Sequence, residues 1–164
     1  MATRSATRRR STRKIAKPAR AAKTAATSVR YVESSALVAA LLEHDTAVMK
    51  PQPIGTHHVT SALTLAEAGR AIIRARASGR LTAAEEQEAV RALRGFERRC
   101  FILNVDDAVL ARVRRPFPVE PIRTLDAVHL ATMELLGEPP QLVTVVSRDA
   151  RVRDNAEAMG YAVE

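Results

Sequence analysis

A three-layer α/β fold with a central, mostly parallel sheet is what this sequence predicts, and three observations predict it. Short apolar runs suited to buried strands alternate with helical stretches along residues 29–164. Most of those helical stretches open on a Ser, Thr or Asp that can cap them. The longest unbroken apolar run, Ala36 to Leu42, is seven residues long, and crossing a bilayer takes about 20. No membrane partner is expected.

The elements follow in order. Val29-Arg30-Tyr31-Val32 reads as a short buried strand, and Ser34-Ser35 can cap a helix from Ala36 to about Glu43. Strand followed by helix opens an α/β unit. Lys50 to His58, with two prolines and a glycine, reads as a loop. Ser61 starts a helix that runs to about Ala77 and stops at Ser78-Gly79. Thr82-Ala83-Ala84-Glu85 is a capping box leading a helix to about Arg99. Phe101 to Val105 reads as the second strand, and Asp106 caps a short helix that reaches Arg114 before Pro116-Phe117-Pro118. Thr124 is the expected cap of a helix ending at Gly137, since Leu125, Val128, Thr132 and Leu135 fall at helical spacing. Leu142 to Val146 is a run of β-formers, a helix stopped by Gly160 follows it, and Tyr161-Ala162-Val163 closes as an edge strand.

The net charge of +8 divides unevenly. Residues 1–30 hold ten Lys or Arg and no acid, so the other 134 residues carry a net −2. The basic character therefore belongs to an arm, residues 1–28, expected to be disordered because Ile15 is its one large aliphatic residue after Met1. Nucleic-acid binding by counterion release, a targeting presequence and a bland extension are all open readings of it. Aromatic residues make up 3% of the chain and Trp is absent, so base-stacking platforms are scarce. A single cysteine, Cys100, excludes an intramolecular disulfide and suits a reducing, cytoplasmic setting.

Ligands of open parallel sheets gather at the carboxyl ends of the strands, and acids fall there. Glu33 ends the first strand, Asp149 follows the strand ending at Ser147, and Asp126 sits in the first turn of the helix after Thr124. Glu67 lies mid-helix among small and apolar neighbours, where a charge is costly to bury unless paired or metal-bound. Converging carboxylates raise one another's pKa until a proton or divalent cation compensates, and oxygen ligands favour Mg²⁺ or Mn²⁺. Ions at such a cleft can orient a phosphodiester and activate water. Taken singly, each acid also has an ordinary reading, as a surface pair with Arg70 or Arg74 for Glu67 and as helix-start residues for Asp126 and Asp149.

Four segments carry a resemblance: Tyr31-Val32-Glu33-Ser34-Ser35-Ala36-Leu37-Val38, Ser61 to Glu67, Arg123-Thr124-Leu125-Asp126-Ala127-Val128-His129-Leu130-Ala131, and Ser147-Arg148-Asp149 with Asn155-Ala156 and Gly160. In this order they resemble the PIN-domain ribonucleases, specifically the VapC-type toxins of toxin-antitoxin modules. The resemblance covers residues 29–164 and implies a PIN-like fold, a Mg²⁺- or Mn²⁺-dependent endoribonuclease site, an antitoxin partner and a homodimer. It places Glu33, Glu67, Asp126 and Asp149 in the acidic quartet, as catalytic and metal-holding residues, with Ser35 and Ser147 as supporting polar positions. Glu33 departs from the pattern, which has Asp there, and an added methylene moves the carboxylate by roughly 1.5 Å against a tolerance of about 0.5 Å for a preorganised site.

Arg148 and Arg151 flank the expected cleft as candidates to hold the RNA backbone. His129 reads as a structural histidine holding a backbone carbonyl, or else as a group that orients Asp126 or contacts phosphate; Asp154 reads as a solvated helix residue, with an auxiliary ligand as the alternative, and Cys100 lacks a base partner. The substitution at Glu33 motivates an alternative, a noncatalytic PIN domain that binds RNA or a protein. A receiver-like signalling domain would need a strand-end Lys, whereas Lys50 is the single Lys after Tyr31 and falls in a loop.

Overall fold

The computed structural model describes residues 28–49 and 53–164. The basic arm therefore lies outside the described residues apart from Ser28. Five parallel strands form one sheet: β1 (Ser28–Val32), β2 (Thr56–Ser61), β3 (Phe101–Leu103), β4 (Val143–Val146) and β5 (Ala162–Val163), in the spatial order β3-β2-β1-β4-β5. Six helices connect them: α1 (Ser34–Leu42), α2 (Ala62–Ala77), α3 (Ala83–Glu97), α4 (Asp107–Val113), α5 (Thr124–Glu134) and α6 (Ala150–Ala158).

Alternation along the central strands makes the three layers. Val29 and Tyr31 of β1, with Val143 and Val145 of β4, face a core completed by α4, α5 and α6 through Val109, Leu130 and Val152. Val32 and Val146 face the other way, into a core of Leu37, Ala68 and Phe96 from α1, α2 and α3. The chain steps from β1 to β2 on one side and places β4 on the other. The carboxyl ends of β1 and β4, paired at Val32 and Val146, thus form the switch point where such sheets bind ligands.

Several expectations need correction. Residues 56–58, read as loop, begin β2, whose Thr-His-His-Val-Thr-Ser lacks the apolar pattern of a buried strand. It pairs with both β1 and β3, and it buries Val59, Thr60 and Ser61; the Thr60 hydroxyl satisfies itself by donating to the Val32 carbonyl at 2.7 Å. Ser28, assigned to the arm, belongs to β1, its amide donating to the Gly55 carbonyl. Thr124 does not cap α5; the capping position is Arg123, which makes no side-chain cap bond. Ser61, Thr82 and Asp106 cap α2, α3 and α4 as expected, and the capping box at Thr82 and Glu85 is complete.

The end of the chain is tied to the centre of the sheet. The Glu164 amide donates to the Val145 carbonyl, the Ser147 amide donates to the Glu164 carbonyl, and the Glu164 carboxylate pairs with buried Arg30 at 2.7 Å.

Candidate active site

Glu33 follows β1 directly and is 3% exposed. It, and not Ser34 or Ser35, caps α1: its backbone is extended and its Oε2 accepts from the Ser35 amide at 2.9 Å. Glutamate is not a favoured cap residue, which is why a local role was not apparent in the sequence. The same Oε2 accepts from the Ser147 hydroxyl at 2.9 Å and closely from the Ser35 hydroxyl, while Oε1 accepts from the Ser34 hydroxyl at 2.6 Å. The serine orientations are fixed from behind. The Ser35 hydroxyl oxygen accepts from the Arg148 and Asp149 amides and that of Ser147 from the Asp149 amide, so both protons are free to point at Glu33.

Glu67 reaches the same cluster from α2. His129, on α5 and 1% exposed, brings Nε2 to 2.7 Å from Glu67 Oε2 and 3.6 Å from Glu33 Oε1. With a carboxylate on that side and no partner for Nδ1 among the described residues, we assign the proton to Nε2. This overturns the backbone-carbonyl reading of His129, which rested on the residue alone; its partner lies 62 positions away in the chain. Burial raises the Glu67 pKa, but the hydrogen bonds from His129 and Ser34 and the charges of His129 and Arg74 outweigh it, and the net shift is downward.

Asp126 lies in the first turn of α5. Burial first, then the charges of Asp149 and Glu33, raise its pKa against the opposing pull of Arg123 and His129. Its Oδ2 is buried without a hydrogen-bond partner among the described residues. Asp149 caps α6, its Oδ1 accepting from the Arg151 and Val152 amides at 2.8 and 3.3 Å. Asn155, nearly two turns further along α6, both donates to and accepts from the backbone of Val119 at 2.9 Å, holding the segment that leads into α5. The structure thus brings the four acids together, at the ends of β1 and β4 and on α2 and α5.

The flanking residues fare differently. The Arg148 guanidinium is committed to Asp45, at 2.5 and 2.9 Å, so its charge is already paired. Arg151 and Asp154 are exposed on α6. The donor set fits a divalent cation: carboxylate oxygens of Glu33 and Glu67 meet there, grouped within 4.8 Å of the His129 nitrogen, which donates to Glu67 and so positions that carboxylate without binding the ion itself. Asp126 Oδ2 adds a desolvated oxygen that no donor satisfies, an arrangement that is costly unless a proton or cation completes it.

Comparison with known proteins gives the family and the fold. Ribonuclease VapC46 of Mycobacterium tuberculosis is 35% identical over 139 residues, covering 81% of this chain and 94% of that protein. Ribonuclease VapC35 of the same species is 34% identical over 137 residues, covering 81% and 93%. Among solved structures, PAE2754 from Pyrobaculum aerophilum superposes with a TM-score of 0.55 at 21% identity, over 84% of this chain and 90% of that one. VapBC-1 from nontypeable Haemophilus influenzae gives 0.53 at 11% identity, over 83% and 96%. The PIN domain family matches over residues 30–158, a span that holds most of β1, all of β2 to β4 and all four acids, and the chain belongs to the PIN-domain family, among its VapC-type members.

Proposed function

We propose that this chain is an endoribonuclease that hydrolyses RNA phosphodiester bonds with Mg²⁺ or Mn²⁺, as the toxin of a type II toxin-antitoxin system. Its further partners are an antitoxin protein and a second copy of itself, and it works in the cytoplasm. The observation that carries the reading is the convergence of Glu33, Glu67, Asp126 and Asp149 at the sheet's switch point, with Asp126 Oδ2 buried and unsatisfied among the described residues. The ribonuclease names of the relatives matched over most of their length support the same reaction. Among the described residues no helix is long and apolar enough to cross a membrane.

Glu33, Glu67, Asp126 and Asp149 would hold the ion, an oxygen-rich set suited to Mg²⁺ or Mn²⁺. Bound there, a divalent cation supplies charge neutralisation at the phosphate and acidification of water. The chain's own groups do the placing. The serine hydroxyls pin Glu33 from behind, leaving Oε1 on the side of His129, and His129 holds Glu67. No side-chain nucleophile is needed, and burial pushes the Cys100 thiol up to about 11, leaving it inert as one.

The test is cleavage of a mixed RNA pool by purified protein with Mg²⁺, Mn²⁺ or EDTA. Cutting with either ion that stops in EDTA is expected. RNA binding without divalent-dependent cutting would replace this reading with the noncatalytic one.

His129→Leu is expected to weaken Mn²⁺ binding by about 10–100-fold, the usual cost of losing a group that orients a ligand, while His129→Gln, which keeps a donor, loses less. Calorimetric titration with Mn²⁺ checks this. Equal losses in the two variants would deny His129 the positioning role.

A further inference from the structure

Beside the carboxylates, α2 carries a feature that the ion site does not use. Glu67, Arg70 and Arg74 fall three and four residues apart, on one face of the helix. With Leu63, Ala66 and Leu125 they line an open cleft of about 320 Å³. Leu125 is 50% exposed and immediately precedes Asp126, so the cleft shares a wall with the acidic site through both α2 and α5. Arg70 and Arg74 are exposed and have no hydrogen bond or ion pair among the described residues. Arg148, by contrast, is held by Asp45.

Arg74 lends its charge to Glu67, yet both guanidinium groups stay exposed beside the acids, where each can still take a phosphate in a charge-assisted hydrogen bond. Arg70 and Arg74 are separated by about 6 Å of helix rise, roughly one step of an extended nucleic-acid backbone. On the N-terminal side of the two arginines along α2, Leu63 and Ala66, with Leu125 of α5, offer an apolar surface to a base in the same cleft. We propose that this cleft is the subsite for a nucleotide of single-stranded RNA next to the scissile phosphate. Arg70 and Arg74 take its two flanking phosphates, and the aliphatic wall takes the face of its base. The inference rests on the RNA-cleaving reading and adds to it the direction in which the strand leaves the carboxylates, along α2. Phosphate contacts position a strand without reading its sequence, so the subsite contributes equally to RNAs of different sequence.

The experiment measures binding in a background that does not cut. Full-length Asp126→Asn protein is titrated into a fluorescein-labelled short single-stranded RNA of mixed sequence, at a series of salt concentrations. Adding Arg70→Gln and Arg74→Gln together is expected to weaken binding at least about tenfold and to flatten the log–log salt slope by about 1.4, two phosphates at about 0.7 each for a single strand. Arg70→Lys with Arg74→Lys is expected to restore most of the slope. A matched loss of charge on α3, Arg91→Gln with Arg94→Gln, is expected to leave both nearly unchanged.

An unchanged slope in the α2 variant would overturn the proposal and leave this face to a protein partner. An equal loss in the α3 control would overturn it too, because general charge would then explain the effect. Wild-type protein that fails to cut RNA while the α2 variant still loses affinity would remove the nuclease reading and keep the subsite.

Discussion

Asp126→Asn is expected to abolish RNA cleavage, by about 10²–10³-fold or more, while making the folded protein more stable near neutral pH. The two effects share one cause. Asp126 sits where burial and the charges of Asp149 and Glu33 resist its ionisation, so its pKa in the folded state is raised. Such a group supports the fold while protonated. That support is fully present below the ordinary value of about 3.8 and is lost as pH rises through the raised value of the folded state. Asparagine carries no charge to accommodate, so the stability gain over wild type should grow from about pH 4 to pH 7. Thermal melts at both values, run beside the RNA assay, check it. A melting difference that ignores pH would show that the Asp126 carboxylate is not under the strain described.

Glu33→Ala is expected to cost about 3 kcal/mol or more, a helix cap alone being worth about 1 kcal/mol and a single charge-assisted hydrogen bond about 1.5–3 kcal/mol. At this chain length that is a fall of roughly 10 °C in Tm. The truncation removes the acceptor for the Ser35 amide and for the hydroxyls of Ser34, Ser35 and Ser147 in an almost fully buried place. Glu33→Asp retains an acceptor and restores a favoured cap residue, so about 1 kcal/mol is expected for it. Chemical denaturation of the two variants measures both numbers. A loss under 1 kcal/mol in Glu33→Ala would mean that the four donors find other partners and that the glutamate is not the anchor of this corner.

The capping role also explains what could and could not be read from the chain. Ser61, Thr82 and Asp106 announce their helices because short polar side chains reach the backbone within their own turn. Glu33 gave no such signal, since its capping geometry depends on Ser147 from the next strand to hold it. The acids at strand ends were visible because parallel α/β order alone brings them together. Strand β2 was not, because its two histidines and two threonines owe their strand state to pairing with β1 and β3 on either side. His129 and the arginines of α2 take their significance from neighbours distant in sequence: Glu67 for His129, and Leu125 for the cleft along α2.

The last tie in the sheet makes Glu164 a remote brace of the acidic cluster. Glu164 accepts from the Ser147 amide, and Ser147 in turn donates to Glu33, so Glu164 stands two hydrogen bonds from the acidic cluster. Its loss would also strand the buried Arg30 guanidinium without its carboxylate. Any change that unpairs Glu164 would therefore loosen the corner that seats Glu33 before it disturbed any helix.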